Sequence, residues 1–377
     1  MSATHDRALE ALSKRDRLRS LEAQRGIDFA SNDYLGLAQS EELKAAALAA
    51  LERGVPVGAG GSRLLRGNHD EHEALECAAA KYFRSEAALF FGGGFIANTA
   101  IFSTLPARGD LIVYDSLIHA SAHDGMRASK AEARAANHND PQSFDDVIKA
   151  WRSAGGTGQP WIAVESLYSM DGDKAPLDDL FTIAMRHEAV LVIDEAHATG
   201  VYGPDGRGLG AHLEGKSNVI SLHTCGKALG VMGALVLAPK PVCDFLINRA
   251  RAFIYATAPS PLVAATVRAA LDICHEQPER RAALAKRVAH YHALRENYFG
   301  ERGTTTQIDP IIVGRDARAV TYAKEMRALG FDIRAVRPPT VPEGTARLRI
   351  SITLNPSDGD IERMVAALAD ISQRLPA

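Results

Sequence analysis

Six short apolar runs constrain the fold more than any other feature of this chain: residues 87–91, 111–115, 161–165, 189–194, 219–224 and 233–238. A strand with one face in water alternates apolar and polar residues. These runs are mostly continuous, as strands buried on both faces must be. Between them lie stretches with helical spacing of apolar residues, such as 177–187. Strand–helix alternation of this kind predicts an α/β domain with a mostly parallel sheet covered by helices. In such sheets ligands gather at the carboxyl ends of the strands, so the residues just after each run are the ones to read for chemistry.

The last hundred residues have a different character. Strands are predicted at 308–313, 332–336 and 347–353, and helices at 319–329 and 361–375. In the last helix Ile361, Val365, Leu368 and Ile371 share a face, with Ser357 or Asp358 as the cap. The expected division is an amino-terminal segment over 1–40, a large domain over 41–280 and a smaller α+β domain over 281–377. The sequence does not decide which part the amino-terminal helix joins.

Composition narrows the class. With 43 Lys and Arg against 46 Asp and Glu, the formal net charge is −3, which leaves no basic footprint for nucleic acid. The 46% hydrophobic content over 377 residues suffices for a sizeable core. Cys77, Cys225, Cys243 and Cys274 are scattered, without metal or disulfide spacing. A reducing cytoplasm is therefore the expectation, and no membrane partner is expected, because no apolar run reaches the ~18 residues of a spanning helix. No metal is expected either; His69 and His72 read as structural.

One motif competes for attention. Gly210-Ala-His-Leu-Glu-Gly-Lys216-Ser217 matches the phosphate-loop pattern GxxxxGK[ST]. Such a loop must open a helix whose N-terminus meets phosphate. Here a strand pattern follows instead, so nucleotide hydrolysis is set aside.

The strand ends offer more. Asp194 closes the run 189–194, where burial of a carboxylate is costly without a cation or several donors. Lys227 follows the run 219–224, with Thr224 before it and Gly226 and Gly230 beside it. A desolvated lysine amine there can form a Schiff base. The run 87–91 leads into Gly92-Gly-Gly-Phe95 and a helical pattern, a place for a phosphate on a helix N-terminus. His119 and Ser169 follow two further strands, and Arg349 alternates with apolar residues in Arg347-Leu-Arg-Ile-Ser-Ile.

Taken in order, Phe29-Ala-Ser-Asn-Asp-Tyr-Leu-Gly-Leu37, Gly58-Ala-Gly-Gly-Ser-Arg-Leu-Leu-Arg-Gly-Asn-His69, Asp194-Glu-Ala-His-Ala-Thr-Gly200 and the Lys227 segment resemble the α-oxoamine synthases. These are pyridoxal-phosphate enzymes of the aspartate-aminotransferase fold (fold type I). The resemblance implies that Lys227 holds the cofactor covalently, that Asp194 faces the ring nitrogen, and that His197 lies near the phenolic oxygen. It further implies that His119 stacks on the ring and that Gly94, Phe95, Thr224 and Ser169 complete the cofactor contacts. Asn32, Thr340, Arg349 and Arg19, with His119, match substrate contacts, Arg349 taking the amino-acid carboxylate. Arg337-Pro-Pro-Thr-Val-Pro-Glu-Gly-Thr-Ala-Arg-Leu-Arg349 looks most like the biotin-pathway branch, which implies L-alanine and a pimeloyl thioester on coenzyme A or acyl carrier protein. Members using glycine with acetyl- or succinyl-CoA are the alternative. The family also implies a homodimer, with residues 253–259 supplied to the neighbouring subunit's site.

Overall fold

The computed structural model describes residues 2–375; residue 1 of the expected amino-terminal segment and residues 376 and 377 of the expected smaller domain lie outside the described residues. The chain forms two compact units. One comprises Leu35–Ser169 and Lys174–Arg281, the other Met1–Tyr34, Met170–Asp173 and Ala282–Ala377. The larger unit is built on a seven-stranded sheet. Its spatial order is Ala87–Phe91, Ala234–Ala238, Val219–Thr224, Val190–Asp194, Pro160–Glu165, Leu111–Asp115 and Glu132–Ala136. Ala234–Ala238 runs antiparallel to both neighbours, and the other pairings are parallel. This is the mostly parallel α/β architecture the apolar runs call for.

Alternate residues of the central strands enter two separate apolar layers. Val192, Trp161 and Ala163 join one layer, with Ala97 and Ile101 of the helix Gly94–Thr104 and Ala122 of the helix Ala120–Arg127. Leu191, Ile193, Ile162 and Val164 join the other, with Phe144 and Ile148 of Pro141–Ser153 and Leu180 and Ile183 of Leu177–Arg186. Both faces are apolar, which is why the runs do not alternate. The same parity fixes the strand ends. Asp194 continues from Val192, Glu165 from Trp161 and Ala163, and Thr224 from Ile220 and Leu222. All three side chains therefore leave the sheet on the face covered by Gly94–Thr104.

Two elements differ from expectation. Glu132–Ala136 is an edge strand that the sequence reading passes over; its residues Glu-Ala-Arg-Ala-Ala are mostly exposed, so no apolar pattern marks it. The predicted strand 332–336 is two: Phe331–Asp332 and Arg334–Val336, on either side of the buried Ile333.

The smaller unit contains a three-stranded antiparallel sheet in the order Arg334–Val336, Ala346–Ser351, Ile308–Gly314. Every residue of Ala346–Ser351 is buried. Ser357 caps the helix Asp358–Arg374, accepting from the Asp360 N–H while the Asp360 carboxylate accepts from the Ser357 N–H. That helix buries Ile361, Val365, Leu368 and Ile371 as its spacing demands. The amino-terminal stretch belongs with this unit. Ile27–Asp28 pairs in parallel with Phe331–Asp332, the Ser351 N–H donates to the Phe29 carbonyl at 2.9 Å, and the Leu354 N–H to the Tyr34 carbonyl at 3.1 Å.

Among the described residues no helix is long and apolar enough to cross a membrane. Phe144, fully buried in the second apolar layer, gives a direct test of that packing. Phe144→Ala is expected to lower stability by about 3–5 kcal/mol in urea unfolding followed by circular dichroism.

Candidate active site

Asp194 organises the larger unit's site. The carboxylate is 6% exposed and lies at a strand end on the face covered by Gly94–Thr104. From that helix Asn98 Nδ2 donates to Asp194 Oδ2 at 2.7 Å, and the Ala196 N–H donates to Oδ1 at 2.9 Å. Donors on both oxygens make a buried anion tolerable. The second amide hydrogen of Asn98 goes to Ser121 Oγ at 2.9 Å, and Ser121 Oγ lies 2.7 Å from His119 Nδ1. A continuous chain thus runs from His119 through Ser121 and Asn98 to Asp194. Asn98 and Ser121 were not among the site residues read from the sequence. Asn98 stands four residues after Gly94, one helical turn inside the helix, and that spacing was the available signal.

The state of His119 follows from its partners. The Ser121 N–H, which can only donate, points at Nδ1 at 3.2 Å. Nδ1 is therefore an acceptor, and the ring proton sits on Nε2. Burial pushes the His119 pKa below its ordinary value, with Asp194 acting to raise it and Lys227 to lower it further. His119 is a neutral imidazole at pH 7. The same interactions place Asp194 and Lys227 each within electrostatic reach of His119.

Lys227 is half-buried in the turn after Val219–Thr224, where the Gly230 N–H closes onto the Lys227 carbonyl at 2.9 Å. Gly230 has φ +68°, and a Cβ there would come within 2.5 Å of the Ala38 nitrogen, so the turn requires glycine. Cys225, two residues away, is fully buried and its thiol pKa is raised by that burial; it is no nucleophile.

A phosphate fits beside these groups. The helix Gly94–Thr104 begins after Gly93, which has no side chain to cap the first N–H groups. Thr224 leans on this start: a Cβ on Gly94 would lie 2.6 Å from Thr224 Cγ2, while Thr224 Oγ1 bonds the Ala196 carbonyl at 3.3 Å. Phe95, next in the helix, is half exposed. Ser169 and His197 are buried at the ends of the neighbouring strands, Ser169 donating its N–H to Glu165 Oε2 at 3.0 Å. An uncapped helix start, a hydroxyl, a half-buried amine and a buried carboxylate are the donor set that pyridoxal phosphate requires, so the residues fit the group.

Four of the expected substrate residues, Arg19, Asn32, Thr340 and Arg349, lie in the smaller unit, and His119 lies in the larger one. Arg349 could have faced solvent, but it is only 7% exposed. Its Nη1 donates to Ser351 Oγ at 2.6 Å and its Nη2 to Asn32 Oδ1 at 2.9 Å. Arg19 Nη2 reaches Thr340 Oγ1 at 3.2 Å. The structure therefore brings the four together as two pairs, Arg349 with Asn32 and Arg19 with Thr340.

Other sequence motifs resolve as architecture. In Gly58–His69, Arg63 pairs with Glu76 at 2.8 Å, and Glu76 accepts the Phe90 N–H at 2.9 Å. His69 caps the next helix, and His72 Nε2 lies 2.7 Å from the Pro259 carbonyl. The Gly210–Ser217 loop leads into a strand; the Gly210 N–H serves Glu195, and Lys216 Nζ sits 5.0 Å from the Phe181 ring centre.

Known proteins point the same way. Residues 24–368 match the family described as aminotransferase class I and II. The chain is 41% identical over 350 residues to the 8-amino-7-oxononanoate synthase of Geobacter sulfurreducens, covering 92% of this chain and 88% of that one. The solved 8-amino-7-oxononanoate synthase from Francisella tularensis superposes with a TM-score of 0.77 at 28% identity, covering 93% of this chain and 98% of that one. The fold is also that of a serine palmitoyltransferase from S. paucimobilis solved with bound PLP–myriocin, with TM-score 0.88, 23% identity and 98% coverage of both chains.

The close approach of Gly94 and Thr224 yields a test. Gly94→Ala must displace the helix start or the threonine, and is expected to weaken pyridoxal phosphate binding by about tenfold or more in an absorbance titration.

Proposed function

Because the chain belongs to the class I and II aminotransferase family, we propose that it is a pyridoxal-phosphate-dependent acyltransferase that makes 8-amino-7-oxononanoate for biotin. L-Alanine and a pimeloyl thioester, carried on coenzyme A or acyl carrier protein, are the substrates; carbon dioxide and the free thiol leave. One observation carries the reading: 41% identity across 92% of the chain to a protein named 8-amino-7-oxononanoate synthase coincides with Lys227 and Asp194 each acting electrostatically on a neutral His119.

When bound, the cofactor supplies an aldehyde for the substrate amine and a ring that accepts the electron pair left at the alanine Cα. Lys227 would hold it through Nζ and, once exchanged for the alanine nitrogen, take the Cα proton on that same Nζ. Asp194, kept anionic by Asn98 and the Ala196 N–H, would favour a proton on the ring nitrogen facing it. Thr224 and the start of Gly94–Thr104 would bind the phosphate, with Phe95, Ser169 and His197 completing the contacts. His119 would lie against the ring and, with its proton on Nε2, donate to the thioester carbonyl oxygen. Arg349, its planar fork already oriented by Asn32 and Ser351, would hold the alanine carboxylate, and Arg19 and Thr340 would receive the acyl chain. Across the reaction alanine Cα bonds to the acyl carbon, the C–S bond breaks, the carboxylate departs as carbon dioxide, and Lys227 returns a proton to Cα.

The reading includes a cytoplasmic homodimer in which residues 253–259 serve the neighbouring subunit. Val57, Leu65, Phe95, Met232 and Tyr255 of the larger unit are all exposed, as residues awaiting a second copy would be. The four free cysteines suit a reducing compartment.

A substrate panel tests the reaction. Alanine and glycine are each paired with pimeloyl-CoA, pimeloyl-acyl carrier protein and acetyl-CoA, and products are identified by mass. Turnover with alanine and a pimeloyl donor is expected; preference for glycine and acetyl-CoA would replace the reading with a glycine C-acetyltransferase. Arg349→Ala is expected to raise KM for alanine about 10- to 100-fold while cofactor uptake persists, as loss of a charged hydrogen-bonding partner predicts.

A further inference from the structure

Glu165 is a buried acid that the chemistry above does not use. It ends the strand Pro160–Glu165, is 2% exposed, and pairs in register with Asp194 on the adjacent strand. Both side chains leave the sheet on the same face, so two carboxylates stand side by side beneath one site.

Their partners are unequal. Asp194 receives the Asn98 amide and the Ala196 N–H, one on each oxygen. Asp115, on the strand beyond Glu165, receives the Leu117 and Asn139 N–H groups and lies 2.8 Å from His138 Nδ1. Glu165 receives the Ser169 N–H on Oε2, and among the described residues its buried Oε1 has no hydrogen-bond partner. An ionised carboxylate asks for donors on both oxygens, whereas a neutral acid asks for one acceptor for its O–H, and leaving that neutral group unpaired in the interior costs less than leaving a charge unpaired. Of the three acids, Glu165 is the one equipped to stay neutral.

We infer that Glu165 is a positioning residue that keeps its proton in the resting protein, so that Asp194 carries the negative charge of this strand pair alone and Lys227 is spared a second counter-ion. An additional anion near Lys227 would strengthen its hold on a proton and so oppose its work as a base. The Oε2 contact at the same time fixes the turn that carries Ser169. The charged groups acting on Glu165 are Asp194 and Asp115 from the flanking strands and Lys227 from the turn after Val219–Thr224. Burial, with Asp194 and Asp115 adding to it against the opposing pull of Lys227 and the Ser169 N–H, pushes the Glu165 pKa up to about 8. Ionisation therefore falls above neutral pH rather than in the usual carboxylate range.

The inference rests on the assignment of Lys227 as the cofactor lysine, and the test separates the two. Wild type, Glu165→Gln and Glu165→Ala are loaded with pyridoxal phosphate, and the visible band is titrated from about pH 6 to about pH 10. Glutamine keeps an acceptor for the Ser169 N–H and removes the titration; alanine loses both. In wild type the band should follow a broad curve of two coupled protons. In Glu165→Gln it should collapse to one proton with a midpoint lower by about one unit, since the extra anion never forms.

Melting temperatures supply a readout independent of the cofactor chromophore. A carboxyl whose folded pKa lies above its unfolded value stabilises the fold at low pH, and that stability is lost as pH rises toward the folded pKa. The melting temperature of Glu165→Gln relative to wild type should therefore climb between about pH 4.3, the unfolded glutamate value, and about pH 8. A band present in all three proteins whose wild-type curve is a single proton with a midpoint above that of Glu165→Gln, as an acid already ionised at about pH 6 would give, overturns the inference alone. A chain that takes up no cofactor overturns the assignment of Lys227, and the inference with it.

Discussion

A carboxylate buried at the end of a parallel strand is the constraint on which the larger unit's site depends. Asp194 is there because the strand Val190–Asp194 alternates between two apolar layers and ends on the face of Gly94–Thr104. Asn98 and the Ala196 N–H each meet one of its oxygens, as a buried carboxylate requires. The same asparagine binds Ser121, which fixes the tautomer of His119. One helix thus provides the apolar cover, the anion's partner and, at its first turn, a place for phosphate. Small changes in its position would be felt by all three, which accounts for the tight contact between Gly94 and Thr224.

Much of this was legible in the residues. Two-sided burial forces continuous apolar runs, and the strands that carry the chemistry are those runs almost to the residue, since Asp194, Thr224 and Glu165 each close one. The helix Asp358–Arg374 was legible for the complementary reason: a 3.6-residue apolar period and a serine cap. Glu132–Ala136 was not, because an exposed edge strand needs only backbone pairing, and backbone pairing leaves no trace in side-chain type.

The site was legible at its charged residues and opaque at its supports. Lys227 and Asp194 stand out because a cation and an anion at apolar strand ends need a reason. Asn98 and Ser121 are ordinary helix residues until the fold lays the helix across Asp194. Glu165 was visible as a strand end, but its role turns on which of three acids lacks donors, a property of three-dimensional neighbours. Arg349 sits in an alternating strand that fits an exposed face equally well; only its contacts with Asn32 and Ser351 show that it points into the protein.

In the proposed function Lys227 is the covalent anchor of a vitamin B6 cofactor and Asp194 its counter-charge. Borohydride reduction of the cofactor-loaded protein, followed by proteolysis and mass mapping, reads that anchor directly. The account predicts a single reduced pyridoxyl adduct on the peptide containing Lys227, and its loss in Lys227→Ala. An adduct on another lysine, or no adduct in a protein that has bound the cofactor, would contradict it.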